Sequence, residues 1–119
     1  MLLGARLSVE EVVDEAARSC RLPPLLLQPL VENAIRHGIA TRPDGGVLRI
    51  EARTDGRRLR ISVENPFDPD APPRPGAGVG LTNVRRRLLA GYGDRARFEA
   101  ERGEDSFRVA ISMPAEPAG

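Results

Sequence analysis

The sequence predicts a two-layer α/β sandwich: a mostly antiparallel sheet with helices on one face. Three observations carry that expectation. Two stretches alternate polar and apolar residues around turn signals, and two others repeat apolar residues at helical spacing. The alternating stretches also keep one face charged throughout, and a sheet with one wet face is antiparallel and needs a single covering layer.

Size and composition narrow the rest. At 119 residues the chain fits one domain over 1–119, and area scaling buries about two-thirds of its unfolded surface. The single cysteine, Cys20, excludes an intrachain disulfide framework. No apolar run approaches the ~20 residues of a membrane helix, and the N-terminus lacks the pattern of a signal peptide. With 18 basic side chains, all Arg, against 17 acidic ones, the net charge of +1 gives no expectation of bulk capture of nucleic acid or lipid. There is no internal repeat.

Leu7 to Val13 reads equally as a strand or as a short helix continuing through Ala17. Residues 24–39 place Leu26, Leu27, Leu30, Val31, Ala34 and Ile35 on one helical arc. Pro23-Pro24 marks the start of this helix and Gly38 its stop, while Pro29 must kink it or delay its regular part. Val47–Thr54 and Arg57–Glu64 form a hairpin around Asp55-Gly56 as a two-residue turn. Counting outward from that turn pairs Ala52 with Leu59, Ile50 with Ile61 and Leu48 with Val63, leaving Arg49, Glu51, Arg53, Arg58 and Arg60 on the opposite face. Residues 66–78 hold five prolines, which forbid helix or central strand and leave a lid or binding loop or a plain surface connection. A second helix covers about 80–90, burying Leu81, Val84, Leu88 and also Leu89, and ends at Gly91. Ala96, Phe98 and Ala100, a turn near Gly103, then Phe107, Val109 and Ile111 complete a four-stranded meander.

Few residues offer chemistry. Asn33, Arg36 and His37 fall at i, i+3 and i+4, hence side by side at the margin of the apolar arc, with Glu32 further toward solvent. An amide oxygen suits a hard cation such as Mg²⁺ and the two cations suit phosphate, although a satisfied polar residue and a helix C-terminal cation explain the same residues. Gly76-Ala77-Gly78-Val79-Gly80 runs straight into a helix, where glycines permit close phosphate approach and free N–H groups await an anion; an ordinary linker has the same composition. It does not follow a strand in the order of a dinucleotide fingerprint, and no P-loop is present. One His and one Cys cannot build a zinc site, and Cys20 reads as an inert thiol. Arg85, Arg86 and Arg87 fan around a helix, as a solvated face would.

Together these segments resemble a known family. Leu25 to Gly38, reading LLLQPLVENAIRHG, looks like the N box of Lyt-type sensor histidine kinases. Gly78 to Leu88, with Tyr92-Gly93 after it, looks like their G2 box, and Val109 to Pro114 like their last strand. The resemblance runs from about Arg6 to Pro114. It implies the Bergerat ATP-binding sandwich of the GHKL (HATPase_c) superfamily, with a mixed sheet, and favours a strand at Leu7–Val13. By family position Asn33 would ligate Mg²⁺ between the phosphates of ATP, Glu32 would assist catalysis, and Arg36 and His37 would contact phosphate. Gly76, Gly78, Val79 and Gly80 would hinge an ATP lid spanning about 66–80, with Leu81 and Thr82 opening the helix beyond.

Two departures qualify the match. Asn65-Pro66 stands where many relatives carry Asp-Asn-Gly, so Asn65 would accept the adenine amino hydrogen bond in place of the Asp. His37 is the only histidine and lies in the N box, so the resemblance implies an acceptor His on a separate helical dimerisation domain, a homodimer formed through that domain, and a downstream response regulator. The domain would be cytoplasmic, from an inner-membrane sensor, with no nucleic-acid partner and no membrane contact of its own. The same fold could instead serve as a non-catalytic nucleotide-sensing or docking module, or as a serine/threonine kinase of the anti-sigma-factor type.

Overall fold

A computed structural model describes residues 7–18, 20, 24–39, 45–70 and 79–116. In chain order these are β1 (Leu7–Val13), α1 (Glu15–Arg18), α2 (Pro24–His37), β2 (Gly46–Thr54), β3 (Arg58–Pro66), α3 (Val79–Tyr92), a 3-10 turn (Gly93–Arg95), β4 (Arg97–Arg102) and β5 (Ser106–Pro114). One five-stranded sheet has the order β1-β2-β3-β5-β4. β1 pairs parallel with β2 and every other neighbour is antiparallel, so the sheet is mixed.

Alternation decides which face is covered. Leu48, Ala52, Leu59, Ile61, Val63, Val109, Ile111 and Met113 are buried on the inner face. Leu26, Leu30 and Ala34 of α2 and Val84 and Leu88 of α3 complete the same core. α2 packs against α3 and β3, and α1 against β2. Leu88 is wholly buried, so Leu88→Ala is expected to cost about 3 kcal/mol, within the range for core Leu truncations. A urea-unfolding midpoint checks this; a loss under about 1 kcal/mol would mean that the helix layer is not packed on the sheet as described.

The structure corrects five local expectations. The hairpin register differs by two residues, since Thr54 pairs with Leu59, Ala52 with Ile61 and Ile50 with Val63. Side-chain hydrogen bonds lengthen the turn: Thr54 Oγ1 donates to the Arg58 carbonyl at 2.8 Å and accepts from the Gly56 N–H at 3.0 Å, while Asp55 Oδ1 accepts from the N–H groups of Arg57 and Arg58, both at 2.9 Å. A shift of two preserves the faces, so the inward and outward sets survive. The strands do not form a meander: β5 lies between β3 and β4, because α3 carries the chain past one position before the β4–β5 hairpin returns. α3 runs through Gly91 to Tyr92 and stops at Gly93, whose φ of +60° leaves the helical region. Leu89 is 42% exposed and outside the core. Pro29 sits inside α2, which continues without interruption from Pro24 to His37.

The turn also makes a pH prediction. The Arg58 N–H, then the Arg57 N–H, stabilise the Asp55 carboxylate and hold its pKa below the ordinary 3.8. Because the folded value is depressed, this contribution is present above pH 3.8 and disappears as pH falls through the folded pKa. An NMR titration is expected to place the Asp55 midpoint below 3.8. A midpoint at or above that value would contradict this turn geometry.

Candidate functional site

The candidate residues of the first motif occupy the second half of α2. Glu32 is exposed, and its Oε1 accepts a 3.2 Å hydrogen bond from Gln28 Nε2 one turn earlier. Asn33 and His37, one turn apart, are half-buried, and His37 Nδ1 is shielded from solvent. Arg36 is exposed. The motif therefore runs along the border between the apolar stripe and water, where a side chain can be fixed on one side and still meet a ligand on the other.

Asn65 comes from the last turn of the ladder in β3 and is only 4% exposed. Its Nδ2 donates to the Pro66 carbonyl at 3.0 Å. With the NH₂ end committed to that carbonyl, the side-chain oxygen is the end left to accept a donor. Gly38, at the end of α2, lies directly against this amide: a Cβ there would stand 2.7 Å from Asn65 Cγ and closer still to Nδ2. Sequence reasoning treated Gly38 as a helix stop and as the last residue of the N box, and missed this contact. Nothing local signals it, since the two residues meet through tertiary packing of α2 on β3.

The chain after β3 is anchored before it leaves the sheet. The Phe67 N–H donates to the Asp105 carbonyl at 3.0 Å, its ring is buried, and the Arg102 guanidinium carbon lies 4.4 Å from the ring centroid. Asp70 N–H then donates to Asp68 Oδ1 at 2.9 Å. Gly76 and Gly78, and with them most of the expected lid, lie outside the described residues. Val79 and Gly80 open α3, followed by a half-buried Leu81 and an exposed Thr82. Arg85, Arg86 and Arg87 are all exposed, as a solvated helix face requires.

α2, the end of β3 and α3 thus lie on the helix side of the sheet, with α2 touching both of the others. The first turn of α3 presents backbone N–H groups that have no partner within the helix. The fit to a purine triphosphate with Mg²⁺ rests on the donor set. A buried amide offers a directed acceptor, α2 supplies an amide oxygen and two nitrogen-bearing side chains, and among the described residues no group of three His, Cys, Asp or Glu forms a cage for a bare cation. A separate groove of about 700 Å³ lies on the opposite face of the sheet, lined by Arg60, Ser62, Arg97 and Ser112 among others, and belongs to different chemistry.

A five-stranded mixed sheet backed on one face by two long helices is the sandwich fold of histidine-kinase catalytic domains. Solved structures carry the same fold: the catalytic domain of histidine kinase ThkA (TM-score 0.66, 16% identity, 95% of this chain and 82% of that one) and the Erythrobacter litoralis EL346 blue-light activated histidine kinase (TM-score 0.67, 24% identity, 92% of this chain and 35% of that one). Full-length ShkA in complex with AMPPNP is also similar (TM-score 0.63, 20% identity, 98% of this chain and 28% of that one). In sequence the chain is 40% identical over 120 residues to the sensor histidine kinase YpdA of Escherichia coli K12, covering 93% of this chain and 21% of YpdA. It is 32% identical over 111 residues to BtsS of the same organism, and 28% identical over 121 residues to the sensor protein LytS of Staphylococcus haemolyticus. No protein-family model matches the chain. By sequence the chain is a relative of the sensor histidine kinases over nearly its whole length, and it spans about a fifth of the length of the curated relatives it matches.

Proposed function

We propose that this chain, as one domain over 1–119 with a lid at about 66–80, binds Mg-ATP and donates the γ-phosphoryl group to a histidine on a separate helical domain. The observation that carries the reading is the Gly38–Asn65 contact, which ties the end of the α2 motif to a buried amide at the end of β3. Asn65 accepts the adenine amino group through its side-chain oxygen. Asn33 supplies an oxygen ligand to Mg²⁺, and Arg36 and His37 meet phosphate oxygens. Bound Mg²⁺ supplies charge neutralisation across the phosphates. Gly76, Gly78, Val79 and Gly80 let the lid fold over the nucleotide, and Leu81 and Thr82 fix the start of α3 beneath it. Glu32 stands beside Asn33 to polarise the incoming imidazole, with Gln28 orienting its carboxylate. Positioning and electrostatics do the work here, since the chain forms no covalent intermediate of its own.

The same reading gives the wider setting. The acceptor domain forms a homodimer, a response regulator takes the phosphoryl group next, and the domain works in the cytoplasm as part of a membrane sensor. No helix among the described residues is long and apolar enough to cross a membrane.

Isothermal titration with AMP-PNP, with and without Mg²⁺, tests nucleotide binding. Saturable binding that strengthens with Mg²⁺ is expected. Asn65→Ala should weaken it by about tenfold to a hundredfold, the cost of one well-placed buried hydrogen bond. No binding at millimolar nucleotide would leave a docking module of the same fold.

A further inference from the structure

The charged face of the sheet is organised in rows. Across the five strands, Glu10, Arg49, Glu64, Arg108 and Glu101 are successive cross-strand neighbours, so each Arg is flanked by acids. The next row is Glu51, Ser62, Ala110 and Glu99, with small residues at its centre. The row beyond breaks the pattern: Arg53 faces Arg60, Arg60 faces Ser112, and Ser112 faces Arg97. Like charges directly opposite each other are unfavourable in a sheet, and none of the four paired residues of this row is acidic.

Arg58, two residues from Arg60 on the same face, adds to the cluster. Its Nε donates to Ser112 Oγ at 2.9 Å, while its Nη2 is shielded from solvent and has no hydrogen-bond partner among the described residues. Among the described residues Arg58, Arg60 and Arg97 form no ion pair, whereas Glu51 is engaged by Arg49 at 2.9 Å and lies 3.9 Å from Arg53. Five arginines (Arg53, Arg58, Arg60, Arg97 and Arg108) line the groove of about 700 Å³ against three acids (Glu51, Asp94 and Glu99), with Ser62, Ala110 and Ser112 between them. The groove is on the face away from α2 and α3, so it is independent of the nucleotide site.

We propose that this groove docks an extended acidic segment of a partner protein, bearing carboxylates at alternate positions. The spacing supports that occupant. Arg53 on β2 and Arg97 on β4 are three strand intervals apart, about 14 Å at the usual interstrand distance, and an extended chain places residues i and i+4 about 13 Å apart on one side. Carboxylates at i, i+2 and i+4 therefore match the length of the basic row, and a planar guanidinium donates two parallel hydrogen bonds to a carboxylate. The small floor leaves room for the peptide backbone.

The probe is a fluorescein-labelled peptide alternating Glu and Ser, followed by anisotropy with the full chain. Saturable binding that weakens with added salt is expected. The double variant Arg60→Glu with Arg97→Glu should lose about tenfold or more, since two attractive pairs become repulsive, with AMP-PNP binding unchanged and the urea midpoint not lowered. A charge-matched control, Arg18→Glu with Arg86→Glu, should bind the peptide as the parent does. A peptide with its Glu residues contiguous should bind more weakly than the alternating one. The proposal is overturned by absence of saturable binding at low salt, by equal loss in the control, or by tripolyphosphate or duplex DNA displacing the peptide equally well from the parent and the Arg60/Arg97 variant.

Discussion

Asn33→Ala is expected to remove Mg-dependent nucleotide binding while leaving the fold in place. Asn33 is half-buried at the edge of the α2 stripe and contributes nothing to the buried core. Ala is the better helix former, so the change in stability should stay within about 1 kcal/mol. The binding effect is of another order. Loss of an outer-shell partner costs a metal site about 10–100-fold, and a direct oxygen ligand should cost at least as much. Titration with AMP-PNP should show the parent gaining affinity with Mg²⁺ and the variant failing to do so, with coincident urea-unfolding curves. Parent-like Mg-dependent binding in the variant would remove Asn33 from its proposed role. A variant that unfolds would be replaced by Asn33→Asp, which keeps an oxygen ligand and should keep the Mg²⁺ dependence.

Gly38→Val is expected to damage both stability and nucleotide binding. A side chain at Gly38 runs into the Asn65 amide and comes within 2.6 Å of the Ala34 carbonyl oxygen. Overpacking of this kind costs about 1–3 kcal/mol. The displaced Asn65 would also lose its 3.0 Å anchor on Pro66 and with it the aim of its oxygen. Gly38→Ala makes the cause separable. Combined with Asn65→Ala, which vacates the space, part of its stability cost should return while nucleotide affinity stays low. Additive losses in the double variant would mean that Gly38 acts on the helix end alone.

The sequence made faces legible and neighbours illegible. Alternation in 47–64 assigned the six apolar residues it named to the inner face and the five charged ones to the outer face, because a register shift of two leaves the faces unchanged. The shift arose from Thr54 and Asp55 side chains bonding to the Arg58 backbone, a local chemistry that Asp55-Gly56 as a bare turn signal does not express. That β5 lies beside β3 depends on where α3 returns the chain, and two similar hairpins carry no information about which edges meet. Asn65 and the α2 residues were legible as motif positions through the family resemblance. Their juxtaposition through Gly38 was not, since it links positions 27 residues apart only by tertiary packing. The basic row on the wet face was visible as charge, but its break from alternation needed the cross-strand register.

The central claim is that the α2 motif, the Asn65 amide and the start of α3 serve one bound nucleotide. Amide chemical-shift mapping with Mg-AMP-PNP tests it in a single measurement. The largest shifts should fall on Asn33 to Gly38, Asn65 and residues 79–82, with the Arg60–Arg97 face undisturbed. Shifts confined to that opposite face, or absent from either α2 or the first turn of α3, would contradict it.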